Sequence, residues 1–225
     1  FDTEHTRYHK ILEKCVHLIR KNIKLEITVV TDHTTFKKTK PLGSINYKFI
    51  EPEPGNTKMN LAWNNKDRHM AYELSPYDTT LVMDTGYDFL VPDQVHDLTQ
   101  RNTFHQRVWS MIPMVWATVF VFKKTAKAKK IFDMIKYVKQ HYQYFNELYR
   151  IYAKNLRNDY VFAIALQQLN GFVGYDKFPF ALSTLPPDCE IVKMTDNGIA
   201  WRYNDQINWI EKQDVHVLNK EIADV

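Results

Sequence analysis

Asp84 closes an apolar run, TTLVM, and two residues later Gly86 stands where a second carboxylate would complete a site for a hard dication. A second run, ITVVT, ends the same way in Asp32. In open α/β sheets ligands bind beyond the carboxyl ends of the strands, so two strand-terminal aspartates mark a candidate crevice. Arg68 and Tyr72 lie four apart on a helical stretch and share a face, from which Arg68 can bring a cation to that crevice. The plainer alternative is an Asp32 that starts a turn and an Arg68 on a wet helix surface.

The elements that must position these residues follow from periodicity. Tyr8, Ile11, Leu12, Cys15, Leu18 and Ile19 recur at helical spacing and predict an amphipathic helix over roughly residues 3–21. LEITVVTD follows as a strand buried on both faces, and INYKFI, residues 45–50, as another, closed by the turn-rich EPEPGN. Asn64 or Asn65 caps a helix running to Leu74, which Ser75-Pro76 stops before the strand TTLVMD. ATVFVF, residues 117–122, is a further strand. Thr125 then caps a helix whose inner face is Ala128, Ile131, Phe132, Ile135 and Val138. A last helix runs from about Asp159 to Leu169 and ends at Asn170-Gly171, a left-handed stop. Helices alternating with short buried strands imply an α/β layer architecture with a mainly parallel central sheet flanked by helices.

The bulk numbers fit one domain over residues 1–225. A chain of 225 residues with 44% hydrophobic and 14% aromatic side chains is long and apolar enough for a sizeable core. No repeat or charged linker divides it. No apolar run reaches the ~18 residues of a membrane span. Two cysteines are too few for a disulfide framework, and with no secretory leader before the first helix a reducing cytosol is expected. The chain opens on Phe1 rather than Met, and a missing N-terminal segment is expected. A net charge of +4 allows attraction to anions without requiring it.

The order helix, ITVVTD, INYKFI, DRHMAYELSPYD, TTLVMD resembles the nucleotide-binding half of GT-A glycosyltransferases, particularly glycogenin-like and bacteriophage-encoded enzymes. IPMVWATVFVF followed by a helix and LRNDYVFAIAL is similar to the acceptor-side half of the phage members. The terminal DVHVLNK is similar to their late histidine motif. The resemblance implies a single GT-A domain with a nucleotide-binding half, residues 1–100, and an acceptor-side half, residues 101–225. It implies transfer of a hexosyl or pentosyl group from a nucleoside-diphosphate sugar, with a UDP-sugar the expected donor, to an acceptor hydroxyl. Mn2+ or Mg2+ is the implied cofactor. Asp84, Asp88 and His216 are then candidate metal ligands, Asp32, Arg68, Asp84 and Lys220 hold the donor, and Trp116, Thr118 and Asn158 face the substrate.

The chemistry explains those residue types. Loss of a nucleoside diphosphate leaves negative charge on phosphate, which a hard cation, aided by Lys or Arg, stabilises. Manganese also accepts an imidazole such as His216. On a strand, residues i and i+2 project to one side, so Asp-x-Asp aims two carboxylates at one ion; Gly86 removes the second. Asp88 lies ~13 Å further on if extended, but a bulge at Thr85-Gly86-Tyr87 would return it to place, making DTGYD an expanded Asp-x-Asp. Asp159 in RNDY is the candidate to deprotonate the attacking hydroxyl or stabilise an oxocarbenium-like centre. The alternative for Asn158 or Asp159 is a helix cap, and for Trp116 a place in the core.

The acceptor is not written in the chain. Phage relatives suggest a modified DNA base, and KKTAKAKK, residues 123–130, offers lysines to track phosphates, though that spacing also describes an ordinary solvated helix start. A glycan, a protein or a small molecule are the other acceptors. A phage-encoded chain would work in the host cytoplasm. The competing class is a catalytically inactive GT-A-like module that lost its metal site at Gly86 and binds a nucleotide or a partner.

Overall fold

The computed structural model describes residues 1–3, 6–53, 56–58, 61–63, 66–85, 87–88, 112, 115, 117–152, 155–171, 183–195, 197–211 and 214–223, with 56–58, 61–63, 66, 87–88, 221 and 223 by backbone alone.

The chain begins with α1 (Tyr8–Asn22), β1 (Thr28–Thr31), α2 (His33–Lys38) and β2 (Asn46–Phe49). A hairpin of β3 (Asn56–Lys58) and β4 (Leu61–Trp63) follows. A 3-10 turn (Lys66–Met70) then leads into α3 (Ala71–Leu74) and β5 (Thr79–Met83). Next come β6 (Tyr87–Asp88), β7 (Val119–Lys123), α4 (Ala126–Gln140), α5 (Tyr142–Leu148) and α6 (Asn158–Asn170). The remainder is β8 (Ser183–Leu185), β9 (Glu190–Thr195), β10 (Gly198–Tyr203), β11 (Gln206–Glu211), β12 (Val215–Val217) and a second 3-10 turn (Lys220–Ala223).

Helix α1 is the spine, because its apolar side chains spread around more than one face. Ile11 joins Leu185, Ile191, Ile199, Val215, Val217 and Ile222 in one cluster. Leu12 and Val16 pack on Val29 and Tyr47 of β1 and β2, while Ile19 and the following Ile23 meet Leu81, Met83 and Val119. One helix therefore ties the first strands, the β5–β7 ladder and the C-terminal strands to one another. The contacts cross residue 100: β5 pairs with β7, and β6 with β12. The largest cluster lies between α4 and α6, with Phe132, Ile135, Val138, Phe162 and Ile164 against Phe122 of β7.

The chain is α/β as expected, but a mainly parallel central sheet is not seen among the described residues. Among the described residues the strands form five separate small sheets. β1 with β2 and β8 with β12 are parallel, whereas β5–β7, β6–β12, β3–β4 and the β9–β10–β11 meander are antiparallel. β5 takes as partner a strand that returns to it from 36 positions later, a pairing that local alternation of helix and strand does not encode. The strand in LEITVVTD is also half-wet, since Val30 is 39% exposed while Val29 is buried.

Local signals hold where the chemistry is local. Thr125 caps α4 by accepting from the Ala128 amide at 3.1 Å, and Gly171 ends α6 at φ +59°. Asn64 and Asn65 lie outside the described residues, and the helix expected after them is a 3-10 turn followed by one short α-helical stretch.

Candidate active site

The site forms where β5 ends. The Asp84 amide donates to the Thr118 carbonyl at 3.1 Å, one rung beyond the Met83–Val119 pair, so the ladder itself sets where Asp84 stands. Its carboxylate is 42% exposed and accepts from the Arg68 guanidinium, which is itself only 10% exposed. Arg68 comes from the 3-10 turn before α3, and a second nitrogen donates to the Ala117 carbonyl at 2.5 Å. Tyr72 stays in the core, packed on Phe122 and Phe132.

Asp159 reaches the same residue, Ala117, through its amide. Its carboxylate accepts from the Ala117 amide at 3.1 Å, and its own carbonyl accepts from the Val115 amide at 3.3 Å. Arg157 stands 3.5 Å from that carboxylate. Burial pushes the Asp159 pKa up, against the pull of Arg157, the Ala117 amide and Arg68, and the Asp84 charge adds to the rise. The cap alternative does not hold: Arg157 occupies the cap position of α6, with no side-chain cap bond. Asn158 is buried in the first turn, as is Thr118 on the facing segment.

The C-terminal segment closes the third side. His216 of β12 is 4% exposed, and burial pushes its pKa down to about 4, with Lys220 and Arg68 acting in the same sense and Asp84 against them. Lys220 lies with its ammonium 5.6 Å from the centre of the Tyr8 ring; burial lowers its pKa and the Asp84 charge raises it. Tyr8 is raised to about 12 by burial and the same carboxylate. Asp84 is thus the charge that Arg68, Asp159, His216, Lys220 and Tyr8 share. Tyr8, Arg157 and the Ala117 peptide carry no sequence signal of their own.

Asp32 takes a structural part. It caps α2, accepting from the Thr35 amide at 2.7 Å and the Thr35 hydroxyl at 2.6 Å. Burial would raise its pKa, but those bonds outweigh burial and lower it.

Among the described residues the oxygen donors at Asp84 are fewer than a hard dication takes. One Asp84 carboxylate oxygen, Oδ1, is engaged by Arg68, and among the described residues no three His, Cys, Asp or Glu side chains gather to hold an ion. The β6–β12 register sets Tyr87 opposite His216 and Asp88 opposite Val215. The Asp88 side chain, Trp116 and Gly86 lie outside the described residues. No described helix is long and apolar enough to cross a membrane.

Two other cation-rich places are held by local partners. A cleft of about 280 Å³ at α1 and α2 includes Lys14, which donates to the Ile222 carbonyl at 2.7 Å, and Lys38, which pairs with Asp2 at 3.2 Å. In KKTAKAKK the lysines of α4 are exposed, and Lys129 pairs with Asp133 one turn on at 2.8 Å.

Comparison with protein-family models, with curated proteins and with solved structures returns no match.

Proposed function

We propose that the chain is a glycosyltransferase of GT-A type that moves a sugar from a nucleoside diphosphate to an acceptor hydroxyl. The observation that carries this reading is the gathering of Arg68, Asp159, His216 and Lys220, drawn from four distant parts of the sequence, around the strand-terminal Asp84. In the reaction the acceptor oxygen forms a bond to the anomeric carbon while the carbon–oxygen bond to diphosphate breaks. The electron pair leaves with the diphosphate, and the hydroxyl proton goes to Asp159. A carboxylate whose pKa is raised is the more basic for that task. Fixed positive groups stabilise the charge that develops on the phosphate oxygens.

A non-catalytic nucleotide-binding module is the second reading, favoured by Gly86 in place of a carboxylate and by the closed Arg68–Asp84 pair. The test incubates the chain with UDP-, GDP-, ADP-, CDP- and dTDP-hexoses and follows diphosphate release, with water as the acceptor of last resort. Release by the native chain but not by Asp159→Asn supports the transferase. Thermal stabilisation by a nucleoside diphosphate without release supports the binding module. Neither response removes both readings.

A further inference from the structure

We propose that the diphosphate charge is met by the side-chain cations Arg68 and Lys220 in place of a divalent ion. This rests on the transferase reading above.

The first observation is the charge balance. Among the described side chains, Arg68, Arg157 and Lys220 stand against two carboxylates, Asp84 and Asp159. A hard dication seeks oxygen ligands with carboxylate charge in excess, and the described side chains have the reverse excess, which suits an anion. Arg68 has already taken the position beside Asp84 from which an ion would draw its first oxygen, and it is fixed there by the Ala117 carbonyl. Gly86 supplies nothing at the i+2 position, and the ladder puts Tyr87 rather than a carboxylate opposite His216.

The second observation is Lys220. No described carboxylate comes within salt-bridge distance of its ammonium, which lies over the Tyr8 ring at 5.6 Å and feels Asp84 only at longer range. A largely desolvated ammonium with no direct counter-ion among the described residues gains most from an anionic ligand. A guanidinium with donors to spare beyond Asp84 and Ala117 and a nearby ammonium together present the fork and the point charge that a diphosphate takes.

The experiment measures affinity by calorimetry for UDP, GDP, ADP, CDP and dTDP, once in EDTA and once in manganese. The expected result is one or more diphosphates whose dissociation constants in the two buffers agree within about twofold. Lys220→Gln should weaken the binding about tenfold or more, and Lys220→Arg should restore most of it. Because Lys220 anchors no described ion pair, loss of binding in a variant with a native melting curve and circular dichroism spectrum reads its charge rather than its fold. Tightening by about tenfold or more on adding manganese overturns the proposal and leaves the transferase reading standing. Full affinity in Lys220→Gln also overturns it. If no diphosphate binds in either buffer, the transferase reading itself falls, and this inference with it.

Discussion

Asp159 and Arg68 meet through one residue, Ala117, whose amide donates to the Asp159 carboxylate and whose carbonyl accepts from the Arg68 guanidinium. Ala117 is 1% exposed, so neither bond can be exchanged for water without opening the segment. The Asp159 carboxylate and the Arg68 guanidinium are therefore held by the two peptide groups that flank one residue, and a shift in one is felt by the other.

This linkage separates chemistry from structure at Asp159. Asparagine keeps an acceptor oxygen for the Ala117 amide and sheds a carboxylate that burial disfavours in its charged form. Asp159→Asn should therefore melt at or above the native temperature at pH 7 while losing transfer. Asp159→Ala strands the Ala117 amide and should cost about 1–3 kcal/mol. Thermal melts of the two variants beside an activity assay check the prediction, and equal activity in the asparagine variant would remove Asp159 from the reaction.

His216 sets a pH dependence of stability. Its pKa falls from 6.5 in the unfolded chain to about 4 in the fold, so the unfolded chain binds the extra proton first. The stability it contributes is complete above pH 6.5 and is lost as pH falls toward 4, a difference on the order of 3 kcal/mol at most. Asp159 works in the opposite sense, because its raised carboxyl pKa means that acid relieves a burial penalty. Melting curves from pH 7 to pH 5 should fall more steeply for the native chain than for His216→Gln, and parallel curves would contradict the assignment.

How much of this was legible in the sequence depends on distance along the chain. The Thr125 cap, the Gly171 stop and the apolar stripes of α1 and α4 are written within a few residues, and the structure follows them. Asp84 at a strand end and Arg68 aimed toward it were readable from the short span between them. The pairing of β5 with β7 was not, because both runs are apolar and nothing local specifies the partner or its direction. The C-terminal meander escaped for a different reason. The tail alternates aromatic and polar residues, but Ile207 at 63% exposed and Trp209 at 48% stand on the wet face of β11, so the alternation does not point to a buried side. Asp32 shows the limit of motif reading: a carboxylate at a strand end serves equally to cap the next helix, and here its oxygens go to Thr35.

Gly198 is where that meander tolerates no side chain. A methyl group there would stand 2.2 Å from the Ile210 carbonyl oxygen and 2.7 Å from the Trp209 indole. The indole can turn aside; the carbonyl belongs to the paired strand β11 and cannot. Gly198→Ala should destabilise by about 1–3 kcal/mol, with opening of the β10–β11 pairing. Hydrogen exchange checks this, since the amides from Gln206 to Glu211 should lose protection before those of α6.

The Arg68–Asp84 pair yields the last prediction, and its two members differ in what they hold. Asp84 is 42% exposed, so water replaces much of what its neutralisation removes, and Asp84→Asn should cost no more than about 1 kcal/mol. Arg68 is 10% exposed and also satisfies the Ala117 carbonyl, so Arg68→Met loses the ion pair and leaves a buried acceptor, for about 2–3 kcal/mol. In the double variant the carbonyl is still unsatisfied but the unpaired carboxylate is gone, so the two costs should fail to add by about 0.5–1 kcal/mol. Arg68→Lys restores the charge, yet an ammonium on a flexible stem does not reproduce the guanidinium's fixed two-point hold on Asp84 and Ala117. It should recover the coupling only in part. Chemical denaturation of the native chain, the three single variants and the two double variants, Arg68→Met and Arg68→Lys each with Asp84→Asn, measures these terms, and strict additivity would show that the contact between Arg68 and Asp84 contributes nothing to the fold.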